Sequence, residues 1–161
     1  MTSQTDLRTA IEYTTKDFLA AYKDAGEAND PSIINRDVTR DCKRYFPPVG
    51  VMKLFGAPVG VALDNAVYEA GMAKDMTKST VTGTDISNLT IDTETRKAAV
   101  TTVTYVKYHD GEVAVMEHSW VLDLNEDGSK VSKVVVFCDM DGVRRMVEKV
   151  YTEEERKHSL V

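Results

Sequence analysis

The sequence predicts an α+β protein, with N-terminal helices packed on one face of a curved antiparallel sheet. Three observations carry this. Apolar residues over positions 5–25 recur at three- and four-residue steps. After Gly83 the period switches to two. Runs rich in Val, Thr and Tyr are then separated by turn signals at Asp92-Thr93-Glu94-Thr95, Asp110-Gly111 and Asn125-Glu126-Asp127-Gly128.

The first helix spans residues 5–25, its stripe made of Leu7, Ala10, Ile11, Thr14, Phe18, Ala21 and Tyr22. Gly26 and Asn29-Asp30-Pro31 stop it. Pro31 suits the start of a second helix, with Ile34, Val38 and Cys42 or Asp41 on one face. Pro47-Pro48-Val49-Gly50 breaks that segment, and residues 42–46 read either as its end or as a short strand. A third helix covers 61–78, through Tyr68, Met72 and Met76. Ile86, Leu89 and Ile91 mark the first strand of the meander. Residues 97–109 and 112–124 form a hairpin around Asp110-Gly111, taken as a two-residue turn. A strand over 130–138 and a helix over 141–150 follow. Helices closing a curved sheet leave an apolar pocket inside, and 161 residues suffice for one domain over 1–161 with a core of its own.

The composition excludes several classes. Hydrophobic residues are 42% and charged residues 29%, a globular balance. Against 26 acidic residues stand 20 Lys and Arg, a net charge of −6, which argues against a nucleic-acid partner. The sequence shows no secretory leader, membrane span or peroxisomal ending at Ser159-Leu160-Val161, so a cytoplasmic location is expected, with Cys42 and Cys138 reduced. Asp139-Met140-Asp141-Gly142-Val143 resembles a phosphatase nucleophile motif, but too little chain follows it to build that domain. Asp123, Asn125, Asp127 and Gly128 match half a calcium loop, whose twelfth position is Val134 where a bidentate Glu is needed. The three histidines lack ligand spacing, so neither a metal nor another cofactor is expected.

Strand parity singles out the pocket residues. Met116, His118, Trp120, Leu122 and Leu124 share the more apolar face of their strand. With a two-residue turn, Tyr105 pairs with Met116 and Val103 with His118, placing Tyr105 beside His118 on the inner face. A His in a partly dry pocket can exchange protons near neutral pH, and a Tyr beside it can donate to a developing oxyanion. A packed core His and Tyr would give the same pattern. A three-residue turn would instead bring in Tyr108, Val106 and Thr104. The catalytic candidates are therefore Tyr105, His118, Arg40, Arg44 and Tyr108. Arg44 alternates with Cys42 and Phe46, and which of Arg36, Arg40 and Arg44 faces inward is open. Met116, Trp120, Tyr68, Val103, Val136 and Phe46 are the expected substrate-binding residues, with Asp64 placed near the pocket mouth.

Two stretches carry a family resemblance. Residues 122–131 are similar to the apolar strand, Asp-Gly turn and Lys-Ile restart of the nuclear transport factor 2-like, or SnoaL-like, superfamily, and Asp139 matches its usual Asp before the last helix. Ile34, Asp41-Cys42, Arg44 and Pro48, with Asn65 and Tyr68, resemble the small cofactor-free isomerases and cyclases of fungal meroterpenoid and alkaloid pathways. The chain departs from that pattern with Arg44 in place of a His and Val38 in place of an Arg. Trp120 and Val136 stand where ketosteroid isomerase and the epoxide hydrolases carry pocket acids, which argues against those two reactions. The resemblance implies a cystatin-like cone and an isomerase or cyclase that rearranges a polycyclic secondary metabolite by acid/base chemistry. It also implies a homodimer joined through the outer sheet face, expected to carry Val113, Val115, Val121, Thr102, Thr104 and Val106. The alternatives are a non-catalytic binding or dimerisation module, and a scytalone-type dehydratase, which would need a second pocket His.

Overall fold

The computed structural model describes residues 3–158. The N-terminal Met1-Thr2 and the tripeptide Ser159-Leu160-Val161, both read above for targeting signals, lie outside the described residues. Helix α1 runs Gln4–Ala28. The Ser3 hydroxyl accepts from the Asp6 amide at 3.0 Å and the Asp6 carboxylate accepts from the Ser3 amide at 3.3 Å, a reciprocal cap. Ile11, Phe18, Leu19, Ala21 and Ala25 are buried on one face. The helix passes through Gly26 because it crosses the sheet closely there. A Cβ at Gly26 would meet Thr80 Cγ2 at 2.9 Å. It ends at Asn29, whose left-handed φ of 51° turns the chain.

The expected second helix is not formed. A 3₁₀ turn at Pro31–Asn35 leads into strand β1, Val38–Tyr45. The spacing of four that joins Val38 to Cys42 is also twice the strand period, so it cannot separate helix from strand. The strand alternative for 42–46 holds and extends back to Val38. The expected break at Pro47-Pro48-Val49-Gly50 leads directly into an unexpected short helix, α2, at Gly50–Leu54. Helix α3 is Asn65–Met76, shorter at both ends than expected, with Asp64 capping it by accepting from the Val67 amide at 2.9 Å. Strand β2 starts earlier than its apolar signal, at Ser79, and runs to Asp92. Strands β3, Lys97–Tyr108, β4, Val113–Leu124, and β5, Val131–Phe137, complete the sheet. Helices α4, Met140–Val150, and α5, Glu153–His158, follow.

The sheet order is β1-β5-β4-β3-β2. Neighbours are antiparallel except β1, which lies parallel to β5, so the sheet is mixed and not purely antiparallel. Met116, Trp120, Leu122 and Leu124 are buried on its concave face. Trp120 sits edge-on to Phe18 of α1 with ring centroids 5.9 Å apart, and its indole N–H donates to Thr102 Oγ1 at 2.9 Å. Deleting the wholly buried Phe18 ring would cost about 3–5 kcal/mol at such a site.

The β3–β4 turn corrects the expected register. Its loop is His109-Asp110-Gly111, with Gly111 at φ 95°. The αL-side glycine that a three-residue hairpin needs is therefore supplied by the same Asp-Gly pair that signals a two-residue turn. Thr104 thus faces Met116, Thr102 faces His118, and Tyr105 faces Val115.

Candidate active site

A cavity of about 200 Å³ lies between the concave sheet face and the helices. Strand β4 contributes Met116, His118 and Trp120, and β3 contributes Thr104, Val106 and Tyr108. Val136 of β5, Phe46 and Tyr68 complete the expected wall. Thus His118, Met116, Trp120, Tyr68, Val136 and Phe46 line one space, joined by Tyr108, which the three-residue turn brings in place of Tyr105.

Five of the residues weighed from the sequence do not. Tyr105 and Val103 are on the convex face, because the three-residue turn shifts β3 by one position and each side chain crosses the sheet. The Tyr105 hydroxyl donates to Asp85 Oδ2 at 2.9 Å on that surface. Arg40 is exposed on β1. Asp64 caps α3 and does not line the cavity. Arg36 is held by Asp17, Asp24 and Asp37 in a half-exposed ion cluster.

Arg44 points inward yet stops behind the cavity wall. It is fully buried. Its guanidinium donates to Asn65 Oδ1 at 2.7 Å, Asn35 Oδ1 at 2.9 Å and the Ile34 carbonyl at 3.4 Å. Its Cζ lies 4.5 Å from the centroid of the Tyr68 ring. Tyr68 in turn shares a 2.9 Å hydrogen bond with the hydroxyl of Tyr22 on α1. Tyr22 lines the cavity too and was not singled out from sequence.

The most consequential missed residue is Asp75. It lines the cavity one turn beyond Met72, on the stripe of Tyr68, Met72 and Met76. A carboxylate on the apolar stripe of α3 is the sequence signal that could have found it. Its Oδ1 is buried and without a hydrogen-bond partner. Burial alone raises its pKa to about 7. Tyr108 and Tyr151 feel Asp75 as a charge: burial first, then the Asp75 carboxylate, raise the pKa of both. The Tyr108 hydroxyl is buried and unpartnered, and Lys149 Nζ lies 4.7 Å from its ring centroid.

Burial lowers the pKa of His118, against a smaller opposing pull from Asp139. Its Nδ1 is also buried without a partner. Asp139 itself caps α4, accepting from the Gly142 amide at 3.0 Å, which accounts for the Asp-x-Asp-Gly segment as a strand-to-helix turn. Cys138 lines the cavity as a thiol, its pKa pushed up to about 12 by burial. No cluster of three or more His, Cys, Asp or Glu able to hold a metal occurs among the described residues. Nor is any helix among them long and apolar enough to cross a membrane. The site therefore gathers a carboxylic acid that titrates near neutrality, a neutral imidazole and several phenols in an apolar chamber. Such a set can donate and accept protons at pH 7.

No protein-family model and no curated protein matches the sequence. Solved structures do match. The chain is similar to BvnE pinacolase from Penicillium brevicompactum, with 18% identity, a TM-score of 0.72, and coverage of 89% of this chain and 92% of that one. It is similar to AusH from Aspergillus nidulans, at 16% identity and a TM-score of 0.66, covering 82% and 85% of the two chains. A third likeness is an NTF2-like protein of unknown function from Burkholderia pseudomallei, with 11% identity, a TM-score of 0.54, and 86% and 98% coverage. The chain has the NTF2-like fold. At these identities the likeness fixes the NTF2-like architecture and leaves the chemistry to the residues in the cavity.

Proposed function

We propose that this protein is a cofactor-free isomerase or cyclase that rearranges an apolar polycyclic secondary metabolite by acid/base catalysis, in the cytoplasm and as a homodimer. The observation that carries the reading is the Asp75 carboxyl, buried in an apolar cavity with a pKa of about 7. Similarity to a pinacolase, a rearrangement catalyst by its name, supports the same class.

A ketol shift illustrates how the residues would act. Protonated Asp75 gives its proton to the substrate carbonyl oxygen while neutral His118 takes the proton of the adjacent hydroxyl. The migrating C–C bond moves with its electron pair to the former carbonyl carbon. One carbonyl becomes a hydroxyl and the hydroxyl becomes a carbonyl, so the formula is unchanged. A proton then returns from His118 to Asp75 through solvent. Each positioned proton donor or acceptor contributes roughly 10²–10⁴-fold, and the apolar walls hold the reacting conformer. The dehydratase alternative asks for a second cavity His, and among the described residues His118 is the one histidine lining the cavity. The convergence of Asp75, His118 and Tyr108 on one space favours catalysis over a bare binding module.

The test is incubation with a panel of polycyclic α-hydroxyketones, followed by chromatography and mass spectrometry. Products of unchanged mass and altered retention are expected with the native protein and not with Asp75→Asn. Compounds that bind but never isomerise would overturn the reading.

A further inference from the structure

Arg44 is a fully buried guanidinium, and all three of its hydrogen-bond partners are uncharged amide or carbonyl oxygens. Its Nε is buried with no partner. The carboxylate joined to this network, Glu69, reaches it one residue removed, by accepting from Asn35 Nδ2 at 2.8 Å. A buried cation with no anion in contact is costly, and its field is weakly screened toward the interior. The group standing between Arg44 and the cavity is the Tyr68 ring, in the cation–π contact described above. Two hydroxyls in a single hydrogen bond carry two hydrogens and use one. The second hydrogen of the Tyr22–Tyr68 pair has no protein acceptor among the described residues. Both tyrosines line the cavity.

We propose that the Tyr22–Tyr68 hydroxyl pair, backed by the buried Arg44 cation, is a subsite for an anionic enolate or phenolate oxygen, so that the cavity selects polycyclic ligands bearing an acidic enol. The free hydroxyl hydrogen donates to that oxygen, and Arg44 supplies the positive field that an anion completes and a neutral carbonyl does not. The pair stays protonated as a donor, since burial raises both phenol pKa values while Arg44 works against the rise. Asp75, neutral below pH 7, does not repel the anion there. This rests on the acid/base reading for its site and goes past it in naming the substrate's own charge. It places the enol oxygen at the Tyr22–Tyr68 pair and leaves Asp75, seven residues further along α3, to a second oxygen of the ligand.

The experiment is calorimetric titration at pH 6 with 2-hydroxy-1,4-naphthoquinone, ionised at that pH, and with its 2-methoxy ether, which has the same rings and no acidic proton. The hydroxyquinone is expected to bind at least tenfold more tightly, and the Tyr22→Phe/Tyr68→Phe double variant, which removes two oxygens and keeps the packing, should lose that preference. Arg44→Gln should lose it too if it folds; if it does not, the tyrosine variant decides. Equal affinities, no measurable binding of the hydroxyquinone, or a preference that survives the double variant would each overturn the subsite. The readout is binding, so it separates from catalysis. A preference that persists while Asp75→Asn leaves turnover intact would defeat the acid/base reading alone, and the reverse pattern would defeat the subsite alone.

Discussion

The amide of Tyr108 donates to the carbonyl of Glu112 at 2.8 Å, closing the three-residue turn between β3 and β4. That bond sets the parity of all of β3, and with it which tyrosine lines the cavity. Tyr105→Phe, on the convex face, should leave turnover within twofold of the native protein. Tyr108→Phe should lower it by tenfold or more. Because the Tyr108 hydroxyl is buried and unsatisfied, its removal should hold or raise the melting temperature. Thermal scans and steady-state rates on the two variants check this, and full activity in Tyr108→Phe would remove it from the machinery.

Arg44 and Arg40 lie four residues apart on β1 and should behave oppositely. Arg44→Met strands three oxygens, those of Asn65, Asn35 and Ile34, in a buried site. About 3 kcal/mol of stability should be lost, read by urea unfolding. Arg40 is exposed, and Arg40→Ala should change neither stability nor turnover measurably.

Much of this was legible because period and parity are local. The stripe of α1 and the alternation of β4 each follow from one element's own residues, so Met116, His118 and Trp120 could be placed on the concave face without knowing their partners. Three features depend on more than one element. A spacing of four serves both helix and strand, so Val38 and Cys42 could not show that β1 would dock parallel to β5. One residue of turn length, invisible in Asp110-Gly111, exchanged Tyr105 for Tyr108. The weight of Asp75 comes from its surroundings, since an Asp on a helix becomes an acid of pKa about 7 only when other elements dry it.

The convex sheet face carries exposed apolar side chains among its polar ones. Val113 and Val115 of β4 are 60% and 55% exposed, and Phe137 of β5 is 52% exposed. Of the residues expected there, Thr102, Thr104 and Val106 turn inward, and Thr101, Val103 and Tyr105 take their places. The proposed homodimer would cover this patch. Light scattering should give about twice the chain mass of 17.9 kDa, and Val115→Lys/Phe137→Lys should halve it without loss of helical signal. A native mass of one chain at micromolar concentration would rule the dimer out.

Asp75 should also make stability fall with pH. Its folded pKa of about 7 lies above the ordinary 3.8, so the folded state binds the proton more tightly than the unfolded chain. Its contribution is complete below pH 3.8 and is lost as pH rises through 7. The span is roughly 4 kcal/mol, from about three pK units at 1.36 each. Asp75→Asn lacks this titration. The variant's stability advantage over the native protein should therefore widen between pH 4 and 8 in parallel urea titrations. A gap that does not change with pH would mean that the carboxyl is not dry.

The same two groups should shape the rate profile. The proposed ketol-type mechanism needs Asp75 protonated and His118 neutral. His118 is held below its ordinary 6.5, so the acid limb of kcat/KM should fall below that value, while Asp75 should give an alkaline limb near pH 7. A narrow bell with its maximum between the two follows. Asp75→Asn should reduce turnover by about a hundredfold or more and abolish the alkaline limb. His118→Gln should reduce it similarly and abolish the acid limb, while keeping a polar side chain of similar size against Trp120, whose ring centroid lies 5.9 Å from that of His118. If either variant lowers the rate but keeps the native limb, the proton in question belongs to another residue. Tyr108, whose pKa burial and Asp75 both raise, would be the next group to remove.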